Sequence, residues 1–259
     1  MTEIASHRGG ALLWPENSAT AFENTARLPV DQVEFDVHPS SDGMLVIIHD
    51  ATLDRTTNGS GPVSHRSFAE LSKLSLKGTV SDRILLLDEV IDIFVATSIK
   101  LRVELKQGAD HHPYPGMPQR VIETLRRRNM LARSIVTSFQ MDTVCQAGRC
   151  ADLARHVFLV TPSLEDEVGL DAIIADATAR GVPMLGLRWN TLDSTKVGKV
   201  RAAALGIGGW AANDEAAMEA MFNLEVDVFT SDRPDLALRM RQDRLGKGRN
   251  GRALSNRPN

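Results

Sequence analysis

The chain has 259 residues, 42% of them hydrophobic and 24% charged, with a formal net charge of −3. That length permits a sizeable core, and an α/β barrel typically takes about 250 residues as one domain. Dispersed basic residues on a slightly acidic chain argue against a nucleic-acid surface, and no apolar run approaches the length of a membrane span.

In chain order, short β-rich runs fall at 3–7, 32–37, 101–106, 134–138, 156–160, 184–187, 207–210 and 227–230. Helical patterns fill the intervals. One starts at Ser18, after the Pro15-Glu16-Asn17 turn, and others cover 118–129, 141–150, 164–180, 194–204 and 214–223. Eight strands alternating with helices predict a parallel sheet, and eight is the number that closes a barrel. The expected fold class is therefore α/β, a (β/α)8 TIM barrel over residues 1–243.

One run breaks the alternation. Residues 45–49 follow Val37 too closely for a parallel crossover, which needs a dozen residues or more. This extra strand must be antiparallel, and Asp42-Gly43 is a hairpin signal. With those two residues as the turn, Ser41 pairs with Met44 and Asp36 comes opposite His49. Residues 50–86 then form a long connection of the kind that reads as a small inserted subdomain. Beyond 243 the chain is rich in Arg, Gly and Asn, and 244–259 is expected to be a disordered tail. Cys145 and Cys150 lie five apart on a predicted helix, on different faces, and read as reduced thiols. No charged and apolar leader precedes the first strand, so a cytoplasmic protein is expected.

Active sites of such barrels lie at the C-terminal ends of the strands. Those ends are unusually polar here. The first carries His7-Arg8-Gly9-Gly10, the second Glu34 and Asp36, the hairpin strand His49-Asp50, the next barrel strand Glu104 and Lys106, and the seventh Trp210. Glu34 and Asp36 share one strand face, because the side-chain period is two. With Glu104 they would repel unless a cation neutralised them, and an all-oxygen set suits Mg2+ or Ca2+. The alternative is a barrel-interior salt network with Arg8, Lys106 and Arg102. His7 and His49 could serve as general acid and base. Arg8 and Lys106 are donors of the kind that bind phosphate, and Gly9-Gly10 would let backbone amides approach an anion. Trp210 either closes a wall of the pocket or is plain packing. Asp110-His111-His112 lies in a Gly/Pro-rich stretch and is read as a solvated loop.

These residues resemble a known family. His7-Arg8-Gly9-Gly10 with Pro15-Glu16-Asn17-Ser18, Glu34-Phe35-Asp36-Val37, and His49-Asp50 through Gly59 are similar to the opening motifs of the glycerophosphodiester phosphodiesterases. Val103-Glu104-Leu105-Lys106, Thr137-Ser138-Phe139, Trp210-Ala211-Ala212-Asn213 and Thr230-Ser231-Asp232-Arg233-Pro234 resemble its later strands. The resemblance runs from about residue 4 to 236. It implies a divalent cation on Glu34, Asp36 and Glu104, His7 and His49 as the acid–base pair, and Arg8 and Lys106 at the phosphate. The implied reaction is hydrolysis of a glycerophosphodiester to glycerol 3-phosphate and an alcohol. A sugar phosphodiester or lysophospholipid is the alternative substrate, and a non-catalytic phosphate-binding barrel the remote one. Trp210-Ala211-Ala212-Asn213 departs from the family's Trp-Thr-Val-Asn, and the loop at 107–118 looks particular to a subgroup; both leave the leaving-group preference open.

Overall fold

A computed structural model describes residues 1–150 and 152–255, with side chains as far as Gly246. Ten strands are present: β1 (Glu3–Ser6), β2 (Gln32–Pro39), β3 (Leu45–Ile47), β4 (Leu85–Leu86), β5 (Lys100–Leu105), β6 (Ser134–Ser138), β7 (Arg155–Leu159), β8 (Met184–Arg188), β9 (Gly206–Trp210) and β10 (Val228–Ser231). Eight run parallel in the order β1-β2-β5-β6-β7-β8-β9-β10, and β1 pairs with both β2 and β10, which closes the barrel. The predicted (β/α)8 barrel is the fold.

Alternation along each strand divides the side chains between two environments. One set, including Val33, Phe35, Leu101, Val103, Leu185 and Phe229, packs outward in the core shared with the helices. Phe22 of the helix Ala19–Thr25 anchors this layer edge-on, 5.8 Å from the Phe35 ring and 6.1 Å from Phe94. Such pairs contribute about 0.5–1.5 kcal/mol beyond the area they bury. That helix starts where expected, with Ser18 Oγ accepting from Ala21 N. The inward set is apolar on one side of the lumen, where Ile135, Val157, Leu159, Met184 and Val228 meet Ala5. On β2 and β5 it is polar instead, with Gln32, Glu34, Asp36, Arg102 and Glu104 all buried. A buried wall that departs from the apolar rule marks where function resides.

β3 is antiparallel to β2, as predicted, but the register is shifted by one residue. Val37 pairs with Ile47 and Pro39 with Leu45, so Asp36 lies opposite Ile48 and not His49. The turn holds three residues. Ser40 pairs with Met44, its Oγ accepting from Met44 N, and Gly43 takes the left-handed conformation at φ +81°. Ser40 thereby closes the hairpin one residue earlier than an Asp42-Gly43 turn would. His49 consequently lies past the ladder, where the chain bends.

The insertion between β3 and β4 packs a small core of its own from Leu53, Val63, Leu71, Leu76 and Ile84 against Val46 and Ile48. Two helical expectations change. Gly169, at φ +80°, splits the single helix predicted over 164–180 into Pro162–Val168 and Leu170–Ala179. A helix not predicted, Leu87–Phe94, follows β4, with the Glu89 carboxylate accepting from Leu86 N at its start. The last helix spans Pro234–Ser255, so the tail expected from 244 falls, past Gly246, on side chains and residues outside the described ones.

Candidate active site

The C-terminal rim of the barrel gathers the residues picked from the sequence. Asp36 and Glu104 are neighbours in the β2–β5 register, and Glu34 lies two residues before Asp36. Ligand oxygens of the three carboxylates all lie within 4.8 Å of one another. All three side chains are buried. At that separation they repel, and two cations offset part of the repulsion. Lys106 Nζ stands 2.7 Å from Glu104 Oε1 and 3.4 Å from Asp36 Oδ1, and Arg8 Nε lies 3.4 Å from Asp36 Oδ2. Arg102 donates instead to Gln32 Oε1 at 3.3 Å, and burial pulls its pKa down to about 10. The salt-network alternative therefore describes Arg8 and Lys106 but not Arg102.

It also leaves carboxylate capacity unused. Glu34 Oε1 and Asp36 Oδ1 are buried without a hydrogen-bond partner among the described residues. Burial, and after it the Asp36 charge, pushes the Glu34 pKa up to about 8. Burial alone would raise Asp36 too, but Lys106, His49, Arg8 and a 2.9 Å bond from Asn17 Nδ2 hold it well below the usual carboxylate range. A divalent ion among the three acids would take the orphaned oxygens and favour ionised Glu34. The residues fit such a cation.

Each candidate histidine is anchored through Nδ1. His7 Nδ1 lies 2.5 Å from Asp232 Oδ1, and its Nε2 lies 3.8 Å from Glu34 Oε2. His49 Nδ1 lies 2.6 Å from Asp50 Oδ1. Asp50 is gripped in turn by Arg55, whose Nε donates to Asp50 Oδ2 at 2.7 Å while its Nη atoms fork onto Glu16 at 2.7 and 2.8 Å. A carboxylate on Nδ1 fixes the ring and leaves Nε2 for chemistry. Burial lowers both imidazole pKa values, but at His7 the Glu34 and Asp232 carboxylates outweigh it and the net shift is upward. At His49 the net shift is downward.

His7, Arg8, Glu34, His49, Glu104 and Trp210 line one cavity of about 230 Å³. Trp210 packs edge-on against Phe139 at 5.8 Å, so it forms a wall of that chamber. Gly9 and Gly10, at φ +79° and +93°, belong to a tight turn, and a side chain on Gly9 would meet Ala21 Cβ at 2.8 Å. In that turn Gly10 N donates to His7 O, and the neighbouring Arg8 N donates to Glu34 Oε2. His111 and His112 are exposed, as expected of a solvated loop.

The sequence reading gave no role to several residues that the structure places around the histidines and carboxylates: Asp232, Asp50, Glu16, Arg55, Asn17 and His38. Asp232 follows a barrel strand and satisfied the same strand-end rule that selected the others. His38 had no such signal. Its Nε2 lies 3.1 Å from the His49 carbonyl oxygen, which can only accept, so Nε2 carries the proton. Nδ1 then accepts from the Tyr114 hydroxyl at 3.0 Å, and burial pulls the His38 pKa down to about 4, which keeps the ring neutral. This neutral histidine fixes the backbone of His49 from beneath.

A barrel rim that brings three buried carboxylates able to hold a cation beside two anchored imidazoles suits the hydrolysis of phosphate esters. The model of the Glycerophosphoryl diester phosphodiesterase family matches residues 7–236, and the chain belongs to that family. It is a phosphodiesterase, and hydrolysis of glycerophosphodiesters is its activity. A glycerophosphodiester phosphodiesterase of Bacillus altitudinis is 28% identical over 94% of this chain and 99% of its own. A solved structure from Agrobacterium tumefaciens, assigned to the same enzymes, is 34% identical with a TM-score of 0.92, covering 94% of this chain and 98% of that one. A phosphodiesterase of Oleispira antarctica, solved in complex with the product sn-glycerol-3-phosphate, shares the fold with a TM-score of 0.77 at 23% identity, covering 92% of this chain and 96% of that one.

Proposed function

We propose that His7 and His49 are the acid–base pair of this phosphodiesterase, that Glu34, Asp36 and Glu104 hold one divalent cation, Mg2+ or Ca2+, and that Arg8, Lys106 and Trp210 bind the substrate. The products are glycerol 3-phosphate and an alcohol. The observation that carries the reading is one chamber in which two Nδ1-anchored imidazoles face carboxylates with orphaned oxygens.

The reaction follows from what these groups can do. A substrate hydroxyl next to the ester attacks phosphorus while one imidazole removes its proton. The other imidazole protonates the departing alkoxide, so the P–O bond breaks as the neutral alcohol leaves. A cyclic phosphate results, and water opens it with the two imidazoles in exchanged roles. Arg8 and Lys106 hold the phosphoryl oxygens, Arg8 as a fork and Lys106 as a point charge. A bound cation would stabilise the charge that grows on those oxygens.

A cytoplasmic location belongs to the same reading, in keeping with free Cys145 and Cys150. No helix of the described residues is long and apolar enough to cross a membrane. The partner is a small-molecule phosphodiester, with no part for nucleic acid. The test is release of glycerol 3-phosphate from glycerophosphocholine, glycerophosphoglycerol and glycerophosphoinositol, with the divalent ion varied. Failure to release it from any of them under every ion would refute the substrate assignment.

A further inference from the structure

The carboxylate site leaves Arg102 out. This residue is 3% exposed, yet among the described residues its guanidinium makes one hydrogen bond, the 3.3 Å donation to Gln32 Oε1. No carboxylate of the described residues stands within 4.0 Å of it. A guanidinium carries five N–H donors and stays charged in proteins, and a buried charge without a partner is costly.

Arg102 and Gln32 line a second cavity, of about 280 Å³, and do not line the reaction chamber. Glu3, Lys100, Arg155 and Met184, which also line it, each open a barrel strand, so this cavity lies at the N-terminal end of the barrel, opposite the catalytic rim. The two spaces are separated by the apolar layer of the lumen, with Ile135, Met184 and Val228 on the lower side and Leu159 on the upper. Arg155 stands exposed at the lower mouth, where its Nη1 lies 3.5 Å from Met184 Sδ, a weak acceptor, and it too has no carboxylate within 4.0 Å among the described residues.

The charges in the cavity do not cancel. Both oxygens of Glu3 are taken, by Lys100 Nζ at 2.7 Å and Gln32 Nε2 at 2.5 Å, so Lys100 and Glu3 neutralise each other. Asp227 Oδ2 accepts from Ile207 N at 2.8 Å. Arg102 and Arg155 against Asp227 leave an excess of positive charge on the cavity wall. We propose that this lower cavity is an anion site, in which a small oxyanion is held between the Arg102 and Arg155 guanidiniums. Guanidinium donors match phosphate and carboxylate oxygens, whereas a cation would add to the excess charge and an apolar ligand would leave the donors unmet. The inference goes beyond the phosphodiesterase reading and does not rest on it.

Calorimetry of the full chain with Mg2+ present, at neutral pH and constant ionic strength, counts the anions. Inorganic phosphate is expected to bind twice per chain, once in the reaction chamber and once in the lower cavity. Lys106→Met should weaken the first and leave the second within about twofold. Arg155→Met, a change at an exposed residue, and Arg102→Met, which puts an apolar chain in place of a buried cation, should each weaken the second by about tenfold or more, through loss of charge-assisted hydrogen bonds. Arg155→Met should also hydrolyse glycerophosphodiesters within about twofold of wild type. Acetate titrated in parallel separates the two kinds of oxyanion, the tighter binder at the lower cavity being the kind it takes. A wild type that binds neither anion, or binds only where Lys106→Met removes it, would overturn the site, as would a second anion indifferent to both arginine variants. If the wild type hydrolyses no glycerophosphodiester but still binds the lower anion, the phosphodiesterase reading falls and the anion site stands.

Discussion

His7 Nδ1 and Asp232 Oδ1 stand 2.5 Å apart across the seam where β1, the first strand of the barrel, pairs with β10, the last. The pair spans 225 residues of sequence, and Asn213 completes it by donating to Asp232 Oδ2 at 2.6 Å and accepting from Asp232 N at 2.8 Å. A carboxylate in that place keeps the proton on Nδ1 and presents Nε2 to the chamber. Asparagine there could donate its own N–H to Nδ1 and force the other tautomer. Asp232→Asn is expected to lower kcat by about 10²- to 10⁴-fold with the fold intact by circular dichroism. A kcat within threefold of wild type would show that Asp232 does not orient His7.

The two imidazoles should be separately indispensable. His7→Ala and His49→Ala are each expected to reduce kcat by about 10²- to 10⁴-fold, the range for a positioned acid or base. Both rings are partly exposed at the rim, so neither change opens a cavity in the core, and thermal denaturation should move little. The double variant should be only slightly worse than the poorer single one, because residues that act as a unit are not additive. Near-full activity in either single variant would end the role assignment.

Removal of divalent ions should abolish turnover. Activity in excess chelator is expected to fall to background and to return on adding Mg2+ or Ca2+. Glu34→Gln, which removes a charge and an acceptor from the orphaned carboxylate, should raise the ion concentration needed for half-activation by about tenfold or more. Undiminished activity in chelator would count against the carboxylate site as a whole.

Tyr114, the single tyrosine of the chain, reports on the packing beneath His49. Burial raises its pKa above the ordinary value of 10.0. The folded state therefore holds the phenol proton more tightly than the unfolded state does. The stabilisation is fully present below the unfolded pKa and is lost as pH rises through the folded one. Absorbance at 295 nm on titration should place the phenolate midpoint above about 10, with His38→Ala, which removes the acceptor at 3.0 Å, shifting it. A native midpoint at or below 10 would contradict the burial.

Much of this enzyme was decided locally and could be read from the chain. Strand–helix alternation fixed the barrel because parallel strands need crossovers of that length. The strand-end rule picked out His7, Glu34, Asp36, His49 and Glu104, and the structure gathers them at one rim, because a parallel barrel brings all its C-terminal strand ends together. What the sequence could not supply were quantities set by contact. The hairpin register turned on whether Ser40 or Ser41 paired with Met44, a difference of one residue that Ser40's own hydroxyl decided. The partners of the histidines depended on closure: Asp232 meets His7 only because β10 docks on β1, and Arg55 meets Glu16 only because the insertion folds back over the rim. His38 reads as an ordinary strand residue until the structure buries it under His49. Residue types and their order determined the fold and which polar groups stand at the rim. Tertiary packing alone determined their orientation and protonation, because both depend on which groups lie within a few ångströms in a desolvated site.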